Sequence, residues 1–346
     1  MMTHKERFFA TIERKEVDYP ASWLGDPSKE AQKNLLKYFK VNSMDSVKEI
    51  IKDDIYQVEV PYNHPPSNHI ACAFDFAVVH EENEDYEERS LTGEGFFANS
   101  SDPSDIDKFN WPDPSEHMSA SECAEAVDKA PDDMVVMGML WSAHFQDSCA
   151  AFGMENALMK MIIDPDIYKA VIDRITEFYL EANKIFYEAT KGKLDAVLIG
   201  NDFGSQQALM LSPDLLRQFV FSGTKRIIEQ AKSYGLKVIH HSCGAIFDII
   251  PDLIDLGADA VHPIQAKATG MEATRLHENF ASKATFCGGV DTQDLLCNGS
   301  PEDVAANVKE LKTLFPTGLI LSPSHEALQS DVPPANIEAM FKAIKE

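Results

Sequence analysis

Eight short apolar runs, each followed by a segment of helical pattern, set the strongest limit on what this chain can fold into. They are Tyr19–Leu24, Ile55–Val60, Met134–Leu140, Ala196–Ile199, Lys237–His240, Ala260–Ile264, Ala284–Cys287 and Leu319–Leu321. The later runs are nearly continuous in apolar residues, as parallel strands buried on both faces require. Helix signals fall between them. Ser212-Pro213-Asp214 reads as an N-cap, a proline at the first helical position and an early acid, with Gly235 closing that helix. Asp164-Pro165-Asp166 opens a long amphipathic helix with apolar positions at Ile167, Val171, Ile175 and Phe178, ending before Gly192, and Ser300-Pro301-Glu302-Asp303 opens another. Alternation of this kind predicts an α/β chain folded as a single (β/α)8 barrel over residues 1–346.

One segment breaks the rhythm. Phe74–Val79 and Leu91–Phe97 flank an acidic stretch holding Glu81, Glu82, Glu84, Asp85, Glu87 and Glu88. This reads as a β-hairpin insertion near residues 74–98 with a solvated acidic turn. Trp111-Pro112-Asp113-Pro114 then marks a rigid linker back into the barrel.

Charge narrows the function classes. A formal net charge of −25 argues against attraction to nucleic acid or an anionic membrane. No apolar run approaches the ~20 residues that span a bilayer, and the N-terminus lacks the apolar core of a signal peptide. The expected location is the cytoplasm. The six cysteines are scattered without a disulfide framework and read as reduced.

In a barrel of this type chemistry sits where strands end and βα loops begin. Those junctions collect Trp23-Leu24-Gly25-Asp26, Trp141-Ser142-Ala143-His144, Asn201-Asp202-Phe203-Gly204, His241-Ser242-Cys243, His262-Pro263-Ile264-Gln265, Cys287-Gly288-Gly289-Val290-Asp291 and His325. His241-x-Cys243 puts a nitrogen and a sulfur on the same side of an extended backbone, the ligand mixture Zn²⁺ prefers. His325, at the end of the eighth run, is the best third ligand, leaving one open position as in a catalytic zinc site. Asp202 or Gln265 is then a fourth ligand or an orienting group. His240 alternates away from His241 and is expected behind the barrel. His262 either bonds within a loop or lines the pocket. Cys287 is assigned to the core, because Gly288-Gly289 reads as a tight turn at its strand end.

Together, Asn201-Asp202-Phe203-Gly204-Ser205-Gln206, Leu211-Ser212-Pro213, His241-Ser242-Cys243-Gly244, Phe286–Asp291 and Leu321–His325 with Asp331-Val332-Pro333-Pro334 resemble the uroporphyrinogen decarboxylase superfamily. The resemblance covers nearly the whole chain and implies a single (β/α)8 barrel. True decarboxylases of that superfamily bind a polycarboxylate tetrapyrrole through an arginine-rich segment near the N-terminus. Here the matching stretch, Ser22–Ser28, holds no arginine and one acid, so uroporphyrinogen is not the expected substrate.

The other branch implied by the resemblance is the cobalamin-dependent methyltransferases, whose zinc motif is His-x-Cys with a later Cys. This chain matches at His241 and Cys243 and carries His325 in place of the third ligand. The expectation is a zinc-dependent methyltransferase working with a corrinoid-binding protein and a small thiol, ether or amine. Asp202, His144 and Asp54 are the expected catalytic groups, and Trp23, Gln265 and Asp291 the expected cofactor-binding groups. The runner-up is a metal-free decarboxylase of a smaller carboxylate, using Asp54 and His325. A homodimer is left open.

Overall fold

A computed structural model describes residues 1–63, 68–77, 91 and 93–346. Its strands are β1 (Asp26–Pro27), β2 (Ile55–Glu59), β3 (Val135–Trp141), β4 (Ala196–Gly200), β5 (Lys237–His241), β6 (Ala260–Ile264), β7 (Phe286–Val290), β8 (Leu319–Pro323) and β9 (Ala327–Leu328). Strands β2 to β8 form one parallel sheet in chain order. Helices lie between successive strands, as an α/β barrel requires.

The first apolar run behaves differently from the other seven. Ser22 makes only an isolated parallel bridge to Leu321, yet it joins the two free edges of the sheet. Leu321 N–H donates to Ala21 O at 2.8 Å, Trp23 N–H to Leu321 O at 3.1 Å, and Asp54 N–H to Ser22 O at 3.2 Å. The ladder toward β2 goes no further because side chains take the amides. Ser22 N–H donates to Asp54 Oδ2 at 2.8 Å and Leu24 N–H to Asp53 Oδ2 at 3.2 Å. The sheet is thus curled and closed by a half-formed eighth member.

Strand alternation sorts the core into two layers. Val135, Met137, Met139, Ala196, Leu198 and Ile239 point into the barrel, while Val136, Val197, Val238 and Val261 face the helices. The helix His4–Ile12 plugs the end where strands begin, contributing Phe8 and Ile12 to the inner layer. Each such fully buried side chain stabilises the fold by about 1.5–3 kcal/mol.

Two local expectations are corrected. Gly288 and Gly289 lie inside β7 with φ of 122° and 102°, so they extend a strand and make no tight turn. A Cβ on Gly288 would sit 2.7 Å from the Ile264 amide, which shows that β6 and β7 approach too closely there for any side chain. The helix opened by Ser212 breaks at Val220 into Pro213–Phe219 and Phe221–Ser233. The helix Pro165–Ala189 and the capping box of Ser300 with Asp303 form as their sequences suggest.

The insertion is seen only at its base. Ala77 and Gly95 make an antiparallel bridge, and Phe74, Phe76, Phe97, Phe109 and Trp111 pack as one aromatic group. Phe74 seats this group against Phe178 of the long helix, ring centroids 4.6 Å apart. The expected strand residues Val78 and Val79 and the acidic stretch from Glu81 to Glu88 lie outside the described residues. Among the described residues no helix is long and apolar enough to cross a membrane.

Candidate metal centre

His241 is the last residue of β5, and alternation turns it inward while His240 faces the helices. His240 stacks on Phe203 at 6.0 Å with both ring nitrogens unpartnered, and burial holds its pKa down near 3. Past His241 the chain bends, bringing Cys243 Sγ to 3.5 Å from His241 Nε2. Asp202, two residues beyond β4, ties both together. Its Oδ1 accepts from the Cys243 amide at 2.9 Å and lies 3.1 Å from His241 Nε2. Gln146 Nε2 donates to its Oδ2 at 3.2 Å.

The far wall comes from the end of β8. Glu326 Oε2 lies 3.4 Å from His241 Nδ1 and 3.5 Å from His325 Nδ1. Its backbone is fixed by the β1–β9 pairing, in which Asp26 N–H donates to Glu326 O at 2.6 Å. Gly25, at φ 85°, is required at this contact, since a Cβ there would meet Glu326 O at 2.4 Å. His325 stands half-exposed at the rim, its Nδ1 accepting from the Ala327 amide at 3.0 Å.

Donor atoms therefore converge in three overlapping triplets, each with its atoms within 4.8 Å of one another. These are Asp202–His241–Cys243, His241–His262–Glu326 and Cys243–His325–Glu326. The cluster carries an excess of negative potential. Burial lowers the pKa of His241, but Glu326, Cys243 and Asp202 together raise it well above the usual value. Hydrogen bonding to Cys243, with Glu326 nearby, raises that of His325. Burial raises the pKa of Asp202, and the hydrogen bond from His241 outweighs it, holding the carboxylate ionised.

Two further residues belong to this site. Glu326 was missed by sequence reasoning, although it follows His325 directly. Only the β1–β9 pairing shows that the chain turns there and sends two consecutive side chains toward the same centre. His262 has Nδ1 2.9 Å from His241 Nδ1 and its ring tilted against Trp23 at 5.3 Å.

The other expected site residues are not brought into the cluster. Trp23 is fully buried in the inner layer, donating Nε1–H to Gln57 Oε1 at 3.0 Å, so it supports His262 from below and is closed to a cofactor. His144 is buried with Nδ1 3.1 Å from Ser142 O and Nε2 3.2 Å from Val220 O, turned into the helix layer. Asp54 precedes β2, at the barrel end opposite His241, and is enclosed by Arg7, His4 and Ser22. It therefore cannot act in concert with His325, and the metal-free decarboxylase built on that pair loses its geometry. Asp291 accepts from the amides of Gln293 and Leu295 at 3.0 and 3.1 Å, a local loop-capping role. Cys287 stays in the core, its thiol 3.5 Å from Ser322 Oγ and its pKa pushed up to about 12 by burial. Gln265 remains at the mouth, where Oε1 accepts from Gly244 N–H at 2.5 Å.

Trp141 closes the cluster from the β3 side, its ring edge-on to His241 at 5.5 Å. Trp141 and Ser142 hold φ of 56° and 54°, a left-handed step of two side-chain-bearing residues. Beside His325 lies a cavity of about 280 Å³ lined by residues that follow β6, β7 and β8.

The family model described as uroporphyrinogen decarboxylase (URO-D) matches residues 3–346. No functionally curated protein matches the sequence. Among solved structures, the chain is similar to a methyltransferase from Methanosarcina mazei, with a TM-score of 0.71, 18% identity, and coverage of 99% of this chain and 98% of that one. A putative vitamin-B12-independent methionine synthase from Listeria monocytogenes matches with a TM-score of 0.44 and 10% identity over 95% of both chains.

Proposed function

Because this chain belongs to the uroporphyrinogen decarboxylase family, we propose that it is a zinc-dependent methyltransferase of that family, a single barrel domain over residues 1–346. It would move a methyl group between a corrinoid carried by a separate protein and a small thiol, ether or amine. The observation that carries this reading is Glu326 Oε2, buried without a hydrogen-bond partner between two donor sets, Cys243 with His325 and His241 with His262. A buried carboxylate oxygen left without a donor is costly, and a cation at that point removes the cost. The fold shared with the M. mazei methyltransferase accords with it.

His241, Cys243 and His325 would hold the ion, and Glu326 would stand beside it as a counter-charge, leaving one position for a substrate. Nitrogen and sulfur donors suit zinc, and the thiolate and carboxylate together balance its two positive charges. Glu326 thus supplies the negative charge that a cysteine in place of His325 would have brought. When bound, zinc supplies Lewis acidity that turns a thiol into a thiolate or polarises a leaving heteroatom. Asp202 accepts from the Cys243 amide and so fixes the Cys243 loop beside the ion. With Nε2 of His241 committed as a ligand, its Nδ1–H donates to His262 Nδ1, which fixes the ring plane. Gln265 holds the Cys243–Gly244 turn at the mouth.

Purification without chelator should yield about one zinc per chain. Cys243→Ala and Glu326→Gln should each release it and abolish methyl transfer to free cobalamin, while circular dichroism stays that of the parent. Metal-free parent protein that still transfers methyl groups would sink this reading.

A further inference from the structure

The cavity beside His325 carries information about the substrate, given a metal held by His241, Cys243 and His325 as proposed. At about 280 Å³ it lies just under the ~300–1,000 Å³ of pockets that take drug-sized ligands. Its lining is unusual in what it lacks. Gln265, Thr292, Gln293, Ser324 and Gln329 offer neutral amides and hydroxyls, and Asp331 adds a carboxylate. No lysine or arginine lines it among the described residues. The neighbouring Lys267 is committed to Asp291 and Asp294 at 3.6 and 3.7 Å. The Asp331 carboxylate also lies against Cys297, whose thiol burial and then Asp331 push up to about 11.

The one imidazole of the lining, His325, is taken as a ligand of the metal, whose charge the Cys243 thiolate and Glu326 balance, so an anionic group settling beside Asp331 would shed water with no cation to replace it, which is costly. A neutral hydrogen-bonding group meets amide and hydroxyl partners, and a cation gains attraction to the carboxylate. We infer that this cavity selects a small neutral or cationic, hydrogen-bonding substrate and rejects one carrying a sulfonate or carboxylate.

Two matched ligand pairs test this by isothermal titration of the zinc-loaded protein. One pair, 2-mercaptoethylamine and 2-mercaptoethanesulfonate, can reach the metal. The other, ethanolamine and 2-hydroxyethanesulfonate, reports the cavity without a thiol. The cation should bind at least about ten-fold more tightly than the anion in each pair, and Asp331→Lys should erase or invert that ratio by a similar factor, as expected for one charge at close range. Asp331 is exposed, so the substitution leaves the packing intact. Equal or tighter binding of the sulfonates, an unchanged ratio in Asp331→Lys, or no binding by any of the four overturns the inference. Zinc content measured on the same samples separates the two claims. A zinc-free protein showing the charge preference in the second pair removes the metal reading alone. A zinc-loaded protein without the preference removes the cavity reading alone.

Discussion

Replacing Asp54 by Asn should destabilise the barrel strongly and leave its chemistry in place. The carboxylate is fully buried and accepts from Arg7 Nη1 at 2.6 Å, Ser22 N–H at 2.8 Å and Ser22 Oγ at 3.1 Å, with His4 Nδ1 at 2.7 Å. An amide cannot serve both sides. With its NH₂ toward Ser22 it faces two donors, and with its NH₂ toward Arg7 it faces a guanidinium. The Arg7 side chain is itself buried and keeps Asp18 and the Met2 carbonyl as hydrogen-bond partners, with the Tyr19 ring against its face. Removing one partner of a buried ion pair costs about 3–5 kcal/mol. With an unfolding entropy of ~2.1 cal/mol/K per residue over 346 residues, or ~0.7 kcal/mol/K, Tm should fall by about 4–7 °C. Differential scanning calorimetry on zinc-loaded parent and Asp54→Asn protein measures the shift, and zinc affinity measured alongside should be unchanged. An unaltered Tm together with lost methyl transfer would refute this account and return Asp54 to the chemistry.

The same network gives a pH dependence. The hydrogen bond to Asp54 raises the His4 pKa above its usual value, so the folded chain binds this proton more tightly than the unfolded one. The stabilisation is complete below about pH 6.5 and is lost as pH rises through the raised pKa. Urea titrations across pH 6–9 should show this decline in the parent and a flatter one in His4→Gln. His262→Phe should lower zinc affinity about ten-fold or more, since groups that orient a ligating histidine carry effects of that size. Its stability should change little, because removing the buried, unpartnered His262 Nε2 offsets the lost contact with His241 Nδ1. Chelator competition reads the first quantity, and an unchanged zinc Kd would show that His262 does not orient His241.

The later strands were legible because a parallel strand covered on both faces leaves a continuous apolar run, as at Val197–Ile199 and Val238–Ile239. The first run was legible as a member of the barrel but not as an irregular one, since acceptors from Asp53 and Asp54, thirty residues away, take its amides. Gly288-Gly289 resembled a turn because sequence does not show that the Ile264 backbone presses against it. His241 and Cys243 stood out through residue chemistry at a strand end. His144 and Asp54 have equally suggestive chemistry, but position next to a strand fixes neither the face nor the end of the barrel on which a side chain lies. Glu326 was hidden for the opposite reason. Nothing local distinguishes it from any other acid until the chain on either side is pinned by Asp26 and Ala327.

The left-handed step at Trp141 and Ser142 bears on how this protein can change over generations. Each residue with a side chain held in that conformation costs roughly 1–2 kcal/mol, and glycine at either place would remove most of that cost. Yet glycine at Trp141 would forfeit a ring packed against the inner core layer, and glycine at Ser142 would leave buried Asn183 without its hydroxyl partner. The strain is thus locked in by the contacts of the very side chains that suffer it. A lineage could relax this step only by rebuilding the core beneath it, so the wall that Trp141 presents to His241 is hard to lose by single changes.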